Sequence, residues 1–295
     1  MRCLNSLPPM KLQDRKDVMS EKEFTLLRDL IHNEFGIWLK GDKRLTLHTK
    51  VSHRLSILGL ATYHQYYEYL LSDVSKAELY TLASHIANNE TYFFRDKNQL
   101  DMFSELLPDI KRIKQEMNEN KLTVVSLASS SGEEAYTLNI LVHESGLFVW
   151  DWDVKVIGID VDRNAIQKAK DACYTNNSFR STNGNAAYVD KYFYVENGRC
   201  VLRPSLTKNV EFILGNILDR GTFDGITPID VIFCRNVLMY MSDGAIGKLA
   251  RNFYDLLSDS GYLFIGSSES LIQKTNLFLP EYKNGTIVYK KNLNA

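Results

Sequence analysis

The sequence is poor in the features that would place it in several large protein classes. Its four cysteines, Cys3, Cys173, Cys200 and Cys234, include no C-x-x-C pair, and the six histidines do not cluster near them. That spacing argues against a disulfide framework or a zinc site, so no metal is expected. No stretch approaches the roughly 18 to 20 apolar residues needed to span a bilayer, and the opening segment, residues 1–17, has no apolar core of signal-peptide length. The expectation is a soluble, intracellular protein. Charge of one sign is also lacking: 35 basic residues against 36 acidic ones leave a net charge of -1, so no global field points to nucleic acid. There is no G-x-G-x-x-G fingerprint, no internal repeat and no low-complexity tract, and the organisation has to come from changes in periodicity. What is present is 295 residues, 44% of them hydrophobic, enough for one large domain or a large and a small one.

The first third is helical in pattern. Ser20-Glu21-Lys22-Glu23 forms a capping box, Phe24, Leu27, Ile31 and Phe35 follow at spacings of three and four, and Gly36 is placed to end the helix. A second helix, about residues 42–58, carries Leu45, Leu47, Val51, Leu55 and Leu58 on its apolar side and a basic set, Lys43, Arg44, Lys50, His53 and Arg54, elsewhere. Helices are also predicted around Tyr63 to Leu71, from Glu78 to Ala87, and from Asp96 to about Asn118. Short apolar runs then alternate with helical patterns. Strands are predicted at Leu122–Ala128, Val154–Ile159, Val210–Leu214, Ile229–Cys234 and Tyr262–Ile265, with helices at Glu133–Ser145, Arg163–Ala172 and Asp243–Leu257. Such alternation implies a mainly parallel, doubly wound sheet. A terminal antiparallel hairpin is expected around the turn Lys283-Asn284-Gly285, and an inserted β-hairpin around Glu196-Asn197-Gly198. The predicted division is a helical domain over residues 1–90 and an α/β domain over 91–295, with the insertion at 174–209.

Polar residues collect after the predicted strands. The loop Ser129-Ser130-Ser131-Gly132-Glu133-Glu134 follows the first, and either lets a ligand approach a helix start or is an ordinary serine-capped turn. Asp160 ends the second strand, where a carboxylate can accept hydrogen bonds from both hydroxyls of a ribose, while Asp162 reads as the N-cap of the next helix. Gly215-Asn216 and Arg235-Asn236 follow the next two strands. Each alone is ordinary turn chemistry, but their convergence at the carboxyl ends of parallel strands marks a ligand crevice.

Four separated motifs make the resemblance specific: residues 88–96 (NNETYFFRD), 131–136 (SGEEAY), 230–240 (DVIFCRNVLMY) and 266–271 (GSSESL). In order and spacing they resemble the chemotaxis-receptor methyltransferases of the CheR type, over nearly the whole chain. The resemblance implies a Rossmann-like (class I) methyltransferase sheet behind a helical domain, with S-adenosylmethionine as methyl donor and S-adenosylhomocysteine as product. It implies that Asn89, Thr91, Arg95, Glu134, Asp160, Asn216, Ile217, Arg235 and Asn236 contact the cofactor, and that Arg95 and Tyr240 stand at the reaction centre. It also implies that the basic helix, with Lys43, Arg44, Lys50 and Arg54, docks on the coiled-coil cytoplasmic region of a receptor, the only route to a membrane.

Two departures stand out. Ala135 replaces the proline of the family's cofactor loop. The insertion's turn, Val195-Glu196-Asn197-Gly198-Arg199, is shorter than the glycine-rich turn of members that grip a receptor's C-terminal pentapeptide, so a pentapeptide-independent enzyme is expected. Methyl transfer to a glutamate carboxylate, already ionised at neutral pH, requires alignment rather than a general base. A guanidinium at Arg95 is suited to clamp that carboxylate. The competing readings are the same fold acting on another substrate and a catalytically silent adaptor that binds cofactor or receptor.

Overall fold

The computed structural model describes residues 18–87, 89–180, 186–283 and 285–295, without the side chain of residue 186. Cys3, Asn88, Asn284 and residues 181–185 of the expected insertion lie outside them.

Helix α1 (Glu21–Phe35) begins at the expected capping box, with Ser20 Oγ accepting from the Glu23 amide and Glu23 bonding back to the Ser20 amide. It ends at Gly36, whose φ of 72° is the left-handed turn glycine adopts without strain. After a 3-10 turn at Gly41–Lys43 come α2 (Arg44–Leu58), α3 (Tyr63–Ser72) and α4 (Ala77–Ile86). Their core unites Phe24, Leu27, Ile31, Leu47, Val51, Tyr66 and Leu82. Leu45 departs from expectation: it is 68% exposed. Two residues before buried Leu47, it lies about 200° around the helix and faces solvent. Arg54 also departs from the free basic surface expected of α2. Its guanidinium makes a two-pronged pair with Glu78 at 2.8 and 2.6 Å, and Tyr66 Oη donates to the same carboxylate at 2.8 Å.

Helix α5 (Lys97–Glu116) leads to the sheet. The strands are β1 (Lys121–Leu127), β2 (Asp153–Asp160), β6 (Val210–Leu214), β7 (Ile229–Cys234), β8 (Leu257–Ile265), β9 (Phe278–Lys283) and β10 (Thr286–Lys291), in the order β6-β2-β1-β7-β8-β10-β9. The first five of that order are mutually parallel, and β10 runs antiparallel to β8 and β9 as the expected terminal hairpin. Alternate residues enter two cores: Val124, Val156, Val231 and Phe233 on one face, Val125, Ile157, Ile232 and Cys234 on the other. That period of two is what a strand covered on both faces requires. Helices α5, α6 (Glu133–Glu144) and α7 (Arg163–Asp171) pack on the first face and α10 (Asp243–Leu256) on the second. The winding therefore changes side between β1 and β7, which opens a crevice at their carboxyl ends.

The insertion is richer than its sequence suggests. The hairpin of β4 (Phe193–Glu196) and β5 (Arg199–Leu202) is joined by β3 (Cys173–Tyr174) in a three-stranded antiparallel sheet ordered β3-β5-β4, flanked by α8 (Ala186–Tyr192) and α9 (Pro204–Thr207). A two-residue strand has no periodicity to detect, so only pairing reveals β3.

Candidate active site

The crevice is a cavity of about 630 Å³ bounded by the ends of β1, β2, β6 and β7 on one side and by the helical domain on the other. Every residue expected at the cofactor lines it: Asn89, Thr91 and Arg95 from the segment before α5, Glu134 from α6, and Asp160, Asn216, Ile217, Arg235 and Asn236 from strand ends. Tyr240 lines it as well.

Asp160 is 5% exposed, and burial pushes its carboxyl pKa up to about 6. Its oxygens accept from the amides of Ser130 at 2.7 Å and Asp162 at 2.8 Å. Asp162 caps α7 by accepting from the Asn164 and Ala165 amides, as expected, and also accepts from Asn89 Nδ2 at 2.6 Å. Asn89 is thereby held over the loop, and its carbonyl accepts from Ser130 Oγ at 3.1 Å. The loop itself is tight: Ala128, Ser130 and Gly132 all have positive φ. A Cβ on Gly132 would come within 2.8 Å of Ala169 and Phe212, so glycine alone lets the α6 start sit this close to α7 and β6. Asn216 lines the cavity with its amide already engaged, since Nδ2 donates to the Glu34 carbonyl and Oδ1 accepts from the Leu218 amide.

Two arginines line the cavity in opposite states. Arg235 is ion-paired: Nε donates to Glu134 Oε2 at 2.6 Å, and Nη1 donates to the Arg95 carbonyl at 3.0 Å and to Gln99 Oε1 at 3.3 Å. With side chains 3% and 13% exposed, the Arg235–Glu134 pair is a buried one, and Ser126 Oγ completes it by donating to Glu134 Oε1. Arg95 instead donates to the Glu90 carbonyl at 3.0 Å and lies 5.5 Å above the Tyr92 ring. Among the described residues no carboxylate pairs with it.

The helical domain supplies the facing wall through Trp38, Lys40, Lys43 and Thr46. Ile37 forms an antiparallel bridge to Met241, and the Trp38 amide donates to the Tyr240 carbonyl at 2.7 Å. His32 Nε2 and Ser242 Oγ are 2.8 Å apart. The Trp38 ring packs edge-on against His32 and under the Arg28 guanidinium. This wall was not legible in the sequence; its one signal was the helix-ending Gly36, which marks where the chain turns but not what it touches. Of the basic set, Lys43 lines the cavity, Lys50 is exposed, Arg44 pairs with exposed Glu21 at 3.1 Å, and Arg54 is held inside the helical domain.

A nucleoside cofactor fits these residues. Asp160 lines the cavity, and each of its oxygens accepts from one amide and has a further lone pair, as acceptance from a diol needs. The buried Oγ of Ser129, another lining residue, has no hydrogen-bond partner among the described residues. The volume is within the ordinary range for cofactor sites. Among the described residues no group of His, Cys, Asp and Glu is placed to hold a metal, and no helix is long and apolar enough to cross a membrane.

Comparison with known proteins agrees with this geometry. The chemotaxis protein methyltransferase 2 of Vibrio cholerae is 28% identical over 276 residues, covering 92% of this chain and 94% of that one. The chemotaxis protein methyltransferase of Borreliella burgdorferi is 28% identical over 93% of this chain and 95% of its own. That of Escherichia coli is 29% identical over 85% of each. The all-alpha domain of CheR methyltransferases matches residues 22–87 and their S-adenosylmethionine-binding domain matches residues 89–284, so the chain belongs to the CheR family of S-adenosylmethionine-dependent methyltransferases.

Proposed function

We propose that the protein is a cytoplasmic protein-glutamate O-methyltransferase acting on the coiled-coil cytoplasmic region of chemotaxis receptors, and so meeting a membrane only through them. The same reading divides the chain into a helical unit over residues 1–90 and a catalytic unit over 91–295, with the insertion at 174–209. The observation that carries it is the contrast between the two arginines. Arg235 has its charge neutralised by Glu134, whereas Arg95, which also lines the cavity with Tyr240, has no carboxylate partner among the described residues.

S-Adenosylmethionine supplies a sulfonium methyl, whose transfer to a carboxylate oxygen breaks the carbon–sulfur bond, forms a methyl ester and leaves S-adenosylhomocysteine. No proton moves, because a glutamate with an ordinary pKa near 4.3 arrives ionised. The protein's task is alignment, which in favourable cases supplies about 7 to 11 kcal/mol. Asp160, Asn89, Thr91, Ile217 and Asn236 hold the donor at the floor of the crevice. Glu134 presents a carboxylate to it, fixed in place by Arg235. Arg95 grips the acceptor carboxylate through charge-assisted hydrogen bonds, which also keep it ionised. Tyr240, 40% exposed at the rim, orients the entering side chain. Lys43 at the cavity, in the 3-10 turn before α2, and the exposed Lys50 on α2 give an acidic helical acceptor a track toward the opening, with Arg44 available once its exposed pair opens. Arg54 is not part of that track.

The test is transfer of labelled methyl to receptor cytoplasmic fragments, followed by mild base. Base-labile label on glutamate is the expected result, and Arg95→Lys should lower kcat about tenfold or more because a point ammonium lacks the planar fork. Cofactor binding with no transfer to any receptor fragment would remove the substrate assignment, and a near-normal Arg95→Lys would remove the clamp.

A further inference from the structure

One of the four sequence motifs, residues 266–271, has no part in the site as described: Glu269 stands outside the cavity lining. Its carboxylate nevertheless gathers three backbone amides from two strand ends. Oε2 accepts from Asn236 at 2.9 Å and from Gly266 at 2.8 Å, and Oε1 accepts from Met239 at 3.1 Å. Gly266 follows β8 and Asn236 follows β7, so one side chain ties the exits of two neighbouring parallel strands. A second observation shows how closely the three parts fit. A Cβ on Gly266 would lie 2.6 Å from Glu269 Oε2 and 2.9 Å from the Asn236 amide nitrogen, which leaves room for glycine only.

The segment held in this way carries cavity residues. Asn236 has a φ of 61°, a left-handed conformation that a side-chain-bearing residue keeps only when its surroundings enforce it. From there the chain passes through a 3-10 turn at Leu238–Tyr240 to Met241, which bridges to Ile37 of the helical domain. Asn236, Val237, Met239, Tyr240 and Met241 all line the cavity. A carboxylate is the appropriate group for three converging N–H donors, because both its oxygens accept and neither donates.

We infer that Glu269 is a positioning residue for methyl transfer, bracing the 236–240 segment so that Tyr240 faces the acceptor carboxylate. The inference rests on the acceptor geometry proposed above. It acts through backbone amides, without touching cofactor or acceptor.

The experiment uses the full chain with Glu269→Gln and Glu269→Asp. Glutamine is isosteric but turns one acceptor into a donor, so at least one of the three amides loses its partner; aspartate is one methylene short of reaching both strands. Expected for both variants are a kcat lowered about tenfold or more, S-adenosylhomocysteine affinity by calorimetry weakened by a smaller factor than kcat because Asn236 is one of several donor contacts, and amide exchange at Asn236 and Met239 faster by about tenfold with the β1 and β2 amides unchanged. A general loss of fold would instead accelerate exchange throughout the sheet, and that result in both variants would overturn a local positioning role. Parent-like kcat in Glu269→Gln, or a loss confined to cofactor affinity, would overturn it as well. The exchange measurement needs no acceptor: absence of transfer by the parent protein would count against the substrate assignment, and unchanged exchange against the brace.

Discussion

Asp160 is the cavity residue proposed to meet the cofactor's ribose, and its titration is a measurable consequence of where the fold places it. Burial raises its pKa to about 6, from an ordinary carboxyl value of 3.8. The folded state therefore holds this proton more tightly than the unfolded chain, so the contribution of Asp160 to stability falls as pH rises between about 4 and 6. Cofactor binding has the opposite sign, because diol hydroxyls donate to the ionised form. The affinity for S-adenosylhomocysteine should weaken about tenfold from pH 7 to pH 5, in step with the ionised fraction. Calorimetry across that range is the check, with Asp160→Asn expected to bind weakly and without this pH dependence; a flat profile in the parent would show that Asp160 does not meet the ribose. Arg235 illustrates a different lesson at the same scale. The resemblance implies a contact with the cofactor, and Arg235 does line the cavity, while its Nε and Nη1 are tied to Glu134, Gln99 and the Arg95 carbonyl.

At the scale of elements, α1 was legible almost to the residue, because Ser20, Glu23 and Gly36 are local signals and need no partner. Strands β6 and β7 likewise begin and end where their apolar runs do. Helix α2 shows the limit of such signals. A basic residue on a helix is ordinarily solvated, and only the approach of α4, bringing Glu78, turned Arg54 inward. The inserted sheet is similar, since its hairpin turn is local but β3 exists only through pairing with β5. That turn, Asn197-Gly198 with φ of 50° and 74°, is the two-residue type whose twist suits a hairpin, and it offers little chain with which to enclose a peptide. On that basis we propose an enzyme independent of a receptor-tail tether: calorimetry with a five-residue receptor tail should give no measurable heat, and tight binding would overturn the proposal.

The whole molecule is defined by how the helical domain closes the crevice. Gly36 is one close point of contact, for a Cβ there would lie 2.7 Å from Met241 Cε and 2.9 Å from both Ala245 Cβ and Leu218 Cδ1. Gly36→Ala adds strain at positive φ of about 1 to 2 kcal/mol to overpacking of about 1 to 3 kcal/mol. Its Tm should fall by about 3 °C or more, and kcat should fall with it as the Ile37–Met241 bridge and the Trp38–Tyr240 bond loosen. Parent-like Tm and kcat would mean that the two units do not depend on this contact. Composition, helix caps, strand periods and the polar residues at strand ends were enough to establish the α/β architecture, the helical preface and the crevice, because each is a property of neighbouring residues. The lack of a carboxylate partner for Arg95 among the described residues, the pairing of Arg235 with Glu134 and of Arg54 with Glu78, and the three amides gathered by Glu269 were decided only by the tertiary structure. Each depends on which charges and amides distant segments bring within hydrogen-bond reach, and sequence spacing carries no record of that.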